Sequence, residues 1–207
     1  MKVLLINGSP HEKGTTYTAL KRVADKLESL GVEAEIFHVE KLATTCVDCR
    51  VCKKKGDNRC AFDDCVNRAI EKAETADGFI FGTPVHFASA SGLMTAFMDR
   101  LFYAGGSVLR CKPAAAVACA RRGGTTATLD QINKYITFNC MPMVSSQYWN
   151  MVHGSVAEDA PKDEEGMEVM DILAEQMAWL LKCIEAGKKA GIEAPAAKTL
   201  TRTNFIR

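Results

Sequence analysis

Four cysteines fall within fifteen residues: Cys46, Cys49, Cys52 and Cys60 read C-x2-C-x2-C-x7-C. Two successive x2 spacings let three thiolates converge within one tight loop, and a turn at Gly56-Asp57 brings the fourth back to close the site. Four thiolates suit a [4Fe–4S] cluster or, less well, zinc. The other five cysteines, Cys65, Cys111, Cys119, Cys140 and Cys183, lie on or beside apolar segments, where cysteine behaves as a small hydrophobe. Nine cysteines in a chain expected to meet a reducing compartment argue for metal, cluster or redox use rather than disulfides.

A second stretch, residues 3–20, reads VLLINGSPHEKGTTYTAL. Four branched apolar residues bounded by Asn7-Gly8-Ser9-Pro10 predict a buried parallel strand, then a loop, then a helix that Thr15 or Thr16 caps. A hydroxyl-lined loop at a helix N-terminus favours a phosphate, because free N–H groups and the helix dipole both point at it. The loop lacks the Gly-Lys-Ser/Thr ending that a nucleoside triphosphate requires and the G-x-G-x-x-G of a dinucleotide site. Ser9, Thr15 and Thr16 with backbone amides instead make a neutral cradle for one terminal monophosphate.

The elements that must position these residues alternate along the chain. Strands are expected at residues 3–6, 33–39, 78–82, 114–120 and 142–146. Helices are expected at residues 15–30, 63–76, 89–103, 126–138 and 167–186, and residues 189–207 form a tail. The cysteine stretch, residues 44–60, is a polar insertion after the second strand. Such alternation gives a doubly wound five-stranded parallel sheet of order 2-1-3-4-5 in a single domain, residues 1–207. Ligands of that topology sit beyond the carboxyl ends of strands one and three, which here carry small and polar residues. Leu93, Ala96, Phe97 and Leu101 should share one face of the third helix, with Met94 and Met98 in the core or at an interface. Asp99-Arg100 reads as a surface ion pair, and residues 158–165 as a solvated acidic loop.

Composition closes off other classes. Hydrophobic residues make up 47% and the formal net charge is +1, which argues against nucleic acid or an anionic membrane as partner. No stretch is long and apolar enough to span a bilayer, and the chain opens on a strand without a signal-peptide pattern, so a cytoplasmic location is expected. Lys53-Lys54-Lys55 reads as a solvated loop tip.

Asn7-Gly8-Ser9-Pro10 with Gly14-Thr15-Thr16 resembles the phosphate loop of the flavodoxin-like NAD(P)H-dependent FMN reductases and iron-sulfur flavoproteins. The likeness continues at residues 81–87, 92–100, 119–126 and 203–207, and so covers nearly the whole chain. It implies a flavodoxin-like fold that binds FMN through Ser9, His11, Thr15 and Thr16 at the phosphate. Pro84, Val85, His86 and Phe87 would then line the flavin ring, and Arg121, Gly123 and Gly124 would border it from the other side. Where the family often carries a phenol, this chain has His86. Tyr148 and Trp149 are expected at the same sheet edge, as a pocket wall or loop packing. The resemblance also implies a homodimer or homotetramer.

The leading reading is an FMN-dependent oxidoreductase passing electrons from NADH or NADPH to a flavin, quinone or other small acceptor. No catalytic side chain is named, because the cofactor carries the chemistry. A second reading is an electron carrier that exchanges electrons between FMN and a [4Fe–4S] cluster on Cys46, Cys49, Cys52 and Cys60, with a ferredoxin-like donor. A third is a non-enzymatic module whose cysteine loop holds zinc.

Overall fold

The structure, a computed structural model, describes residues 1–201, 203 and 205. Asn204, Ile206 and Arg207, which complete the C-terminal motif, lie outside the described residues. In chain order the elements are β1 (Lys2–Asn7), α1 (Thr15–Ser29), β2 (Glu33–His38), α2 (Val51–Lys55), α3 (Cys65–Thr75), β3 (Gly78–His86) and β4 (Ser89–Ala90). They continue with α4 (Gly92–Leu109), β5 (Ala114–Ala120), α5 (Thr125–Phe138), β6 (Met151–His153), a 3-10 turn (Ala157–Lys162) and α6 (Glu164–Lys189).

The parallel sheet runs β2-β1-β3-β5-β6, the order expected, while β4 folds back antiparallel onto the end of β3. Alternation along each strand divides the core. Leu4, Ile6, Phe79 and Phe81 face α3, α4 and α5, whereas Val3, Leu5 and Ile80 face α1 and α6. Both faces are covered, as a parallel sheet requires. Close packing fixes some residue types: a Cβ on Gly82 would meet Leu20 Cδ1 at 2.8 Å.

The fifth parallel strand is displaced from its expected place. Residues 142–146 make only an isolated bridge, Met143 to Ala114, and the ladder resumes at β6. Between them Asn150, buried, substitutes for the ladder: its Nδ2 donates to the Ala116 carbonyl at 3.1 Å and its own carbonyl accepts from Ala118 N–H at 3.0 Å. The apolar pattern at residues 142–146 marked the start of pairing and missed the side chain that carries it on.

Other expectations are corrected at their boundaries. Residues 158–165 are structured, because Asp159 accepts from the Ser155 N–H and Asp163 caps α6 through Gly166 N–H. The insertion contains the short helix α2, with Lys53 over the Tyr103 ring at 4.7 Å. Cys65 and Cys119 are buried, but Cys140 and Cys183 are exposed and Cys111 is intermediate. Among the described residues no helix is long and apolar enough to cross a membrane.

Candidate functional site

The loops after β1, β3, β5 and β6 meet at the carboxyl edge of the sheet. Gly8 N–H donates to the Gly82 carbonyl at 2.8 Å, and the Gly8 carbonyl accepts from the Ser91 hydroxyl at 2.8 Å. The same hydroxyl caps α4 by accepting from Met94 N–H, while Ser91 N–H donates to Thr83 Oγ1 at 3.2 Å. One buried serine therefore ties the first loop to the third strand and to a helix start.

The first loop is wound by Asn7. Its Oδ1 accepts from Ser9 N–H at 3.1 Å and its Nδ2 donates to the Glu12 carbonyl at 2.9 Å, an Asx-type lock that leaves no polar atom of this buried side chain unused. Ser9 is buried; its hydroxyl accepts from His11 N–H at 3.1 Å, and its carbonyl faces His38 Nε2 at 2.9 Å. The helix cap differs from expectation. Gly14, not a threonine, occupies the N-cap, and it provides no side-chain cap hydrogen bond. The N–H groups of the first turn are thus left to an outside acceptor. Thr15 follows as the first helical residue, partly buried. Thr16 is buried, with its hydroxyl beside the Cys119 thiol. Burial pushes that thiol up to about 12, the Thr16 hydroxyl notwithstanding, which removes Cys119 from any thiolate chemistry.

The third loop is a preset hairpin. Phe87 and Ala88 both adopt positive φ, 52° and 57°. Gln131 Oε1 holds them there by accepting from Ser89 Oγ at 2.7 Å and Ala90 N–H at 2.9 Å. Phe87 is fully exposed at the tip, His86 is exposed beside it, and Pro84 and Val85 are half-buried. Gly124, at φ +96°, sits against this hairpin so closely that a Cβ there would lie 2.7 Å from Ala88 Cα. Gly124 is also the N-cap of α5, so Thr125 and Thr126 do not cap it. Arg121, Arg122 and Gly123 are exposed in the same loop, and His11 is exposed in the first. Tyr148 and Trp149 pack edge to face at 4.9 Å, each about half exposed, in the loop before β6.

This arrangement fits FMN. An uncapped helix start behind a neutral, locked loop accepts a single phosphate, and an exposed aromatic hairpin held by Gln131 and Gly124 offers a flat apolar wall. The structure brings Ser9, Thr15, Val85 and Gly124 to one edge through direct contacts among the loops; a Cβ on Gly154, for instance, would sit 3.3 Å from Thr15 Cγ2. His11, His86, Phe87 and Arg121 lie in the same loops, and among the described residues no side-chain hydrogen bond orients them.

The cysteine insertion packs on the far part of α4. Cys46, Cys49, Cys52 and Cys60 line one recess, together with Phe62 and Tyr103. Cys46 and Cys49 are exposed and Cys52 and Cys60 half-buried; burial raises the Cys52 thiol. Among the described residues no three His, Cys, Asp or Glu side chains converge as a metal-holding group. The donor set is that of a thiolate-ligated centre, and the four thiols share a recess from which they would have to draw together on loading.

Arg100 dominates this region, and the surface ion pair expected of Asp99-Arg100 is absent. Asp99 is exposed and accepts from the Tyr135 hydroxyl at 2.5 Å, whereas Arg100 is 1% exposed and pairs with Asp64 at 2.5 Å. Burial alone would raise the Asp64 carboxyl. Arg100 and the N–H groups of Ala43 and Val66 outweigh it and hold the carboxyl below its ordinary range. Adjacency in sequence suggested the wrong partner. The signal that would have found the right one is an arginine in helical register with Phe97 and Ala104, both buried, because a charge on an apolar face needs a counter-charge close by. Asn7, Ser91 and Gln131 were missed for a different reason: each acts through a bond to a distant or backbone group that no motif encodes.

A family profile for NADPH-dependent FMN reductases matches residues 1–155. An iron-sulfur flavoprotein of Methanocaldococcus jannaschii is 30% identical over 194 residues, which span 89% of this chain and 100% of that protein. An NAD(P)H dehydrogenase (quinone) of Trichlorobacter lovleyi is 28% identical over 141 residues, 65% of this chain and 67% of its own. Among solved structures, a flavodoxin, WrbA-like protein from Agrobacterium tumefaciens superposes with a TM-score of 0.64 at 13% identity, over 88% of this chain and 98% of that one, a likeness of fold. The profile runs through all four loops of the carboxyl edge, and the chain belongs to the NADPH-dependent FMN reductase family.

Proposed function

We propose that this oxidoreductase binds FMN at the carboxyl edge of the sheet and takes electrons from NADH or NADPH to a flavin, quinone or other small acceptor. The observation that carries the reading is the uncapped start of α1 behind the loop that Asn7 locks, facing a hairpin preset by Gln131. FMN, when bound, supplies the redox chemistry. The protein's part is to hold and to shape. Backbone N–H groups of residues 14–16 and the Ser9 region take the phosphate. Pro84, Val85 and Phe87 offer the apolar wall, and Gly123 and Gly124 let the backbone approach from the other side. Arg121 or Arg122 supplies positive charge beside the ring, offsetting negative charge that builds on reduction. No side chain at this edge is needed as an acid or base for a hydride to pass between two cofactors.

Titration of the purified chain with FMN, followed by flavin fluorescence, and then anaerobic mixing with NADH or NADPH tests this. Saturable one-to-one binding and bleaching of the flavin absorbance by either nicotinamide are expected. Replacing Thr15 by Leu should weaken flavin retention, and a variant that stays fully loaded would contradict the placement of the phosphate.

A second reading is favoured by the cysteine recess: an electron carrier in which a [4Fe–4S] cluster on Cys46, Cys49, Cys52 and Cys60 exchanges electrons with FMN, supplied by a ferredoxin-like protein. The clustering of all four thiols in one recess and the full-length similarity to an iron-sulfur flavoprotein support it. Protein purified without oxygen should then be brown and carry about four irons per chain. A yellow protein free of iron and sulfide excludes the reading. We further propose a cytoplasmic homodimer or homotetramer, to be checked by light scattering.

A further inference from the structure

A guanidinium has five N–H donors, and every one of Arg100's is engaged. Nη1 donates to Asp64 Oδ2 at 2.5 Å and to the Thr44 carbonyl at 3.1 Å. Nη2 donates to the Phe62 carbonyl at 2.8 Å and to Asp64 Oδ1 at 3.0 Å. Nε donates to Cys60 Sγ at 3.3 Å. Thr44 lies two residues before Cys46 and Phe62 two after Cys60, so the two carbonyl bonds close both ends of the insertion. Asp64 serves twice, as the ion-pair partner and as the N-cap of α3 through Val66 N–H at 3.0 Å. These four contacts make a brace, and they already balance the arginine's charge.

The fifth contact is different in kind. A cysteine sulfur is a weak acceptor, and a brace alone would be served better by a third carbonyl. Nε–H is nevertheless directed at a candidate ligand, Cys60 Sγ. One turn further along the helix Tyr103 lines the same recess, and its hydroxyl donates to Asp48 Oδ1 at 3.1 Å, inside the insertion.

We propose that Arg100 is a positioning residue for the four-thiol site, orienting Cys60 and donating a hydrogen bond to its sulfur when the site is loaded. The inference rests on the cluster reading given above. A donor on a ligating sulfur stabilises the more negative, reduced state and so raises the reduction potential, and such outer-shell partners also govern retention of the metal. Arg100→Lys keeps the charge without the fork, Arg100→Gln keeps a donor group without the charge, and Asp64→Asn loosens the brace while leaving Nε beside Cys60.

The test uses the full chain purified without oxygen. Iron, sulfide and FMN are counted per chain, the last as the marker of an intact fold, and the midpoint potential is followed by electron paramagnetic resonance. Arg100→Lys is expected to keep FMN and to lower the potential. Arg100→Gln should lower it further and yield its iron to a chelator about ten-fold more readily or worse. Asp64→Asn should melt earlier and should not lower the potential, because the Arg100 charge it leaves unpaired favours the more negative, reduced state. An Arg100→Lys protein with wild-type potential and iron retention overturns the inference, as does a downward Asp64→Asn shift as large as that of Arg100→Lys, which would reduce Arg100 to a brace. If neither Arg100 variant retains FMN, Asp64→Asn decides alone: a potential at or above the wild-type value supports the inference and a lower one ends it. Wild-type protein without iron or sulfide defeats the cluster reading itself, and this inference with it.

Discussion

The phosphate loop and the cysteine recess hang from the same helix and are made in opposite ways. At the N-terminus of α4, Ser91 joins Gly8 to Thr83, and the site beyond it is a matter of backbone: glycines at 8, 14 and 124, free N–H groups, and a hairpin in positive φ. Nine residues on from that cap, the Arg100 side chain gathers the insertion, through one carboxylate, a thiol and two backbone carbonyls. A backbone cradle tolerates exchange of surface residues around it and fails when a lock or a glycine goes. A side-chain brace concentrates its strength in two buried groups and fails when either goes, because the survivor is left charged and unpaired.

The sharpest separation of the two comes from Arg100→Ala. Loss of one partner of a buried pair should destabilise the fold by about 3–5 kcal/mol in chemical denaturation, while the remaining folded protein still binds FMN. Equal stability to wild type would mean that the brace carries no load. Next in size is Asn7→Ala, which frees Ser9 N–H and the Glu12 carbonyl. It should cost about 1–3 kcal/mol, read as a weaker FMN dissociation constant by about ten-fold for each 1.4 kcal/mol, with thiol reactivity of the insertion unchanged.

Acid gives a third contrast. Asp64 has its carboxyl held low in the folded chain, so its contribution is complete above the unfolded value near 4 and is lost as pH falls through the folded value. Wild-type stability should therefore decline below about pH 4 by roughly 1.4 kcal/mol for each unit by which Asp64 is depressed. In Asp64→Asn that part of the slope disappears, and an unchanged slope would assign the acid sensitivity elsewhere. The smallest effect is expected at Phe87→Ala. The side chain is fully exposed, so stability should stay within about 0.5 kcal/mol of wild type, while FMN affinity falls. A stability loss with no change in FMN binding would place the ring wall on other residues.

Legibility in the sequence followed the same division. Runs such as residues 3–6 and 114–120 announce buried parallel strands because both faces are covered, and the loop and insertion between them were visible as departures from that pattern. Strand five was misplaced because Asn150 performs ladder work with its side chain, which leaves no periodic trace. Thr15 and Thr16 looked like caps by residue type. The structure instead puts Gly14 at the cap and turns Thr16 inward to Cys119, a choice set by packing between α1 and β5. Arg100 was misread because its partner lies thirty-six positions away, and an adjacent aspartate offered itself first.

The interruption before β6 also bears on how the molecule behaves in a crowd. A long, flat outer strand is a template on which a neighbouring chain can add its own. Here that margin offers three paired residues after a gap filled by an amide side chain, and the opposite margin, β2, is fenced by Lys2 and Lys72 bound to Glu33 and Glu35. An outer strand this short on one side and a rim lined with paired charges on the other give a neighbouring chain little to add to.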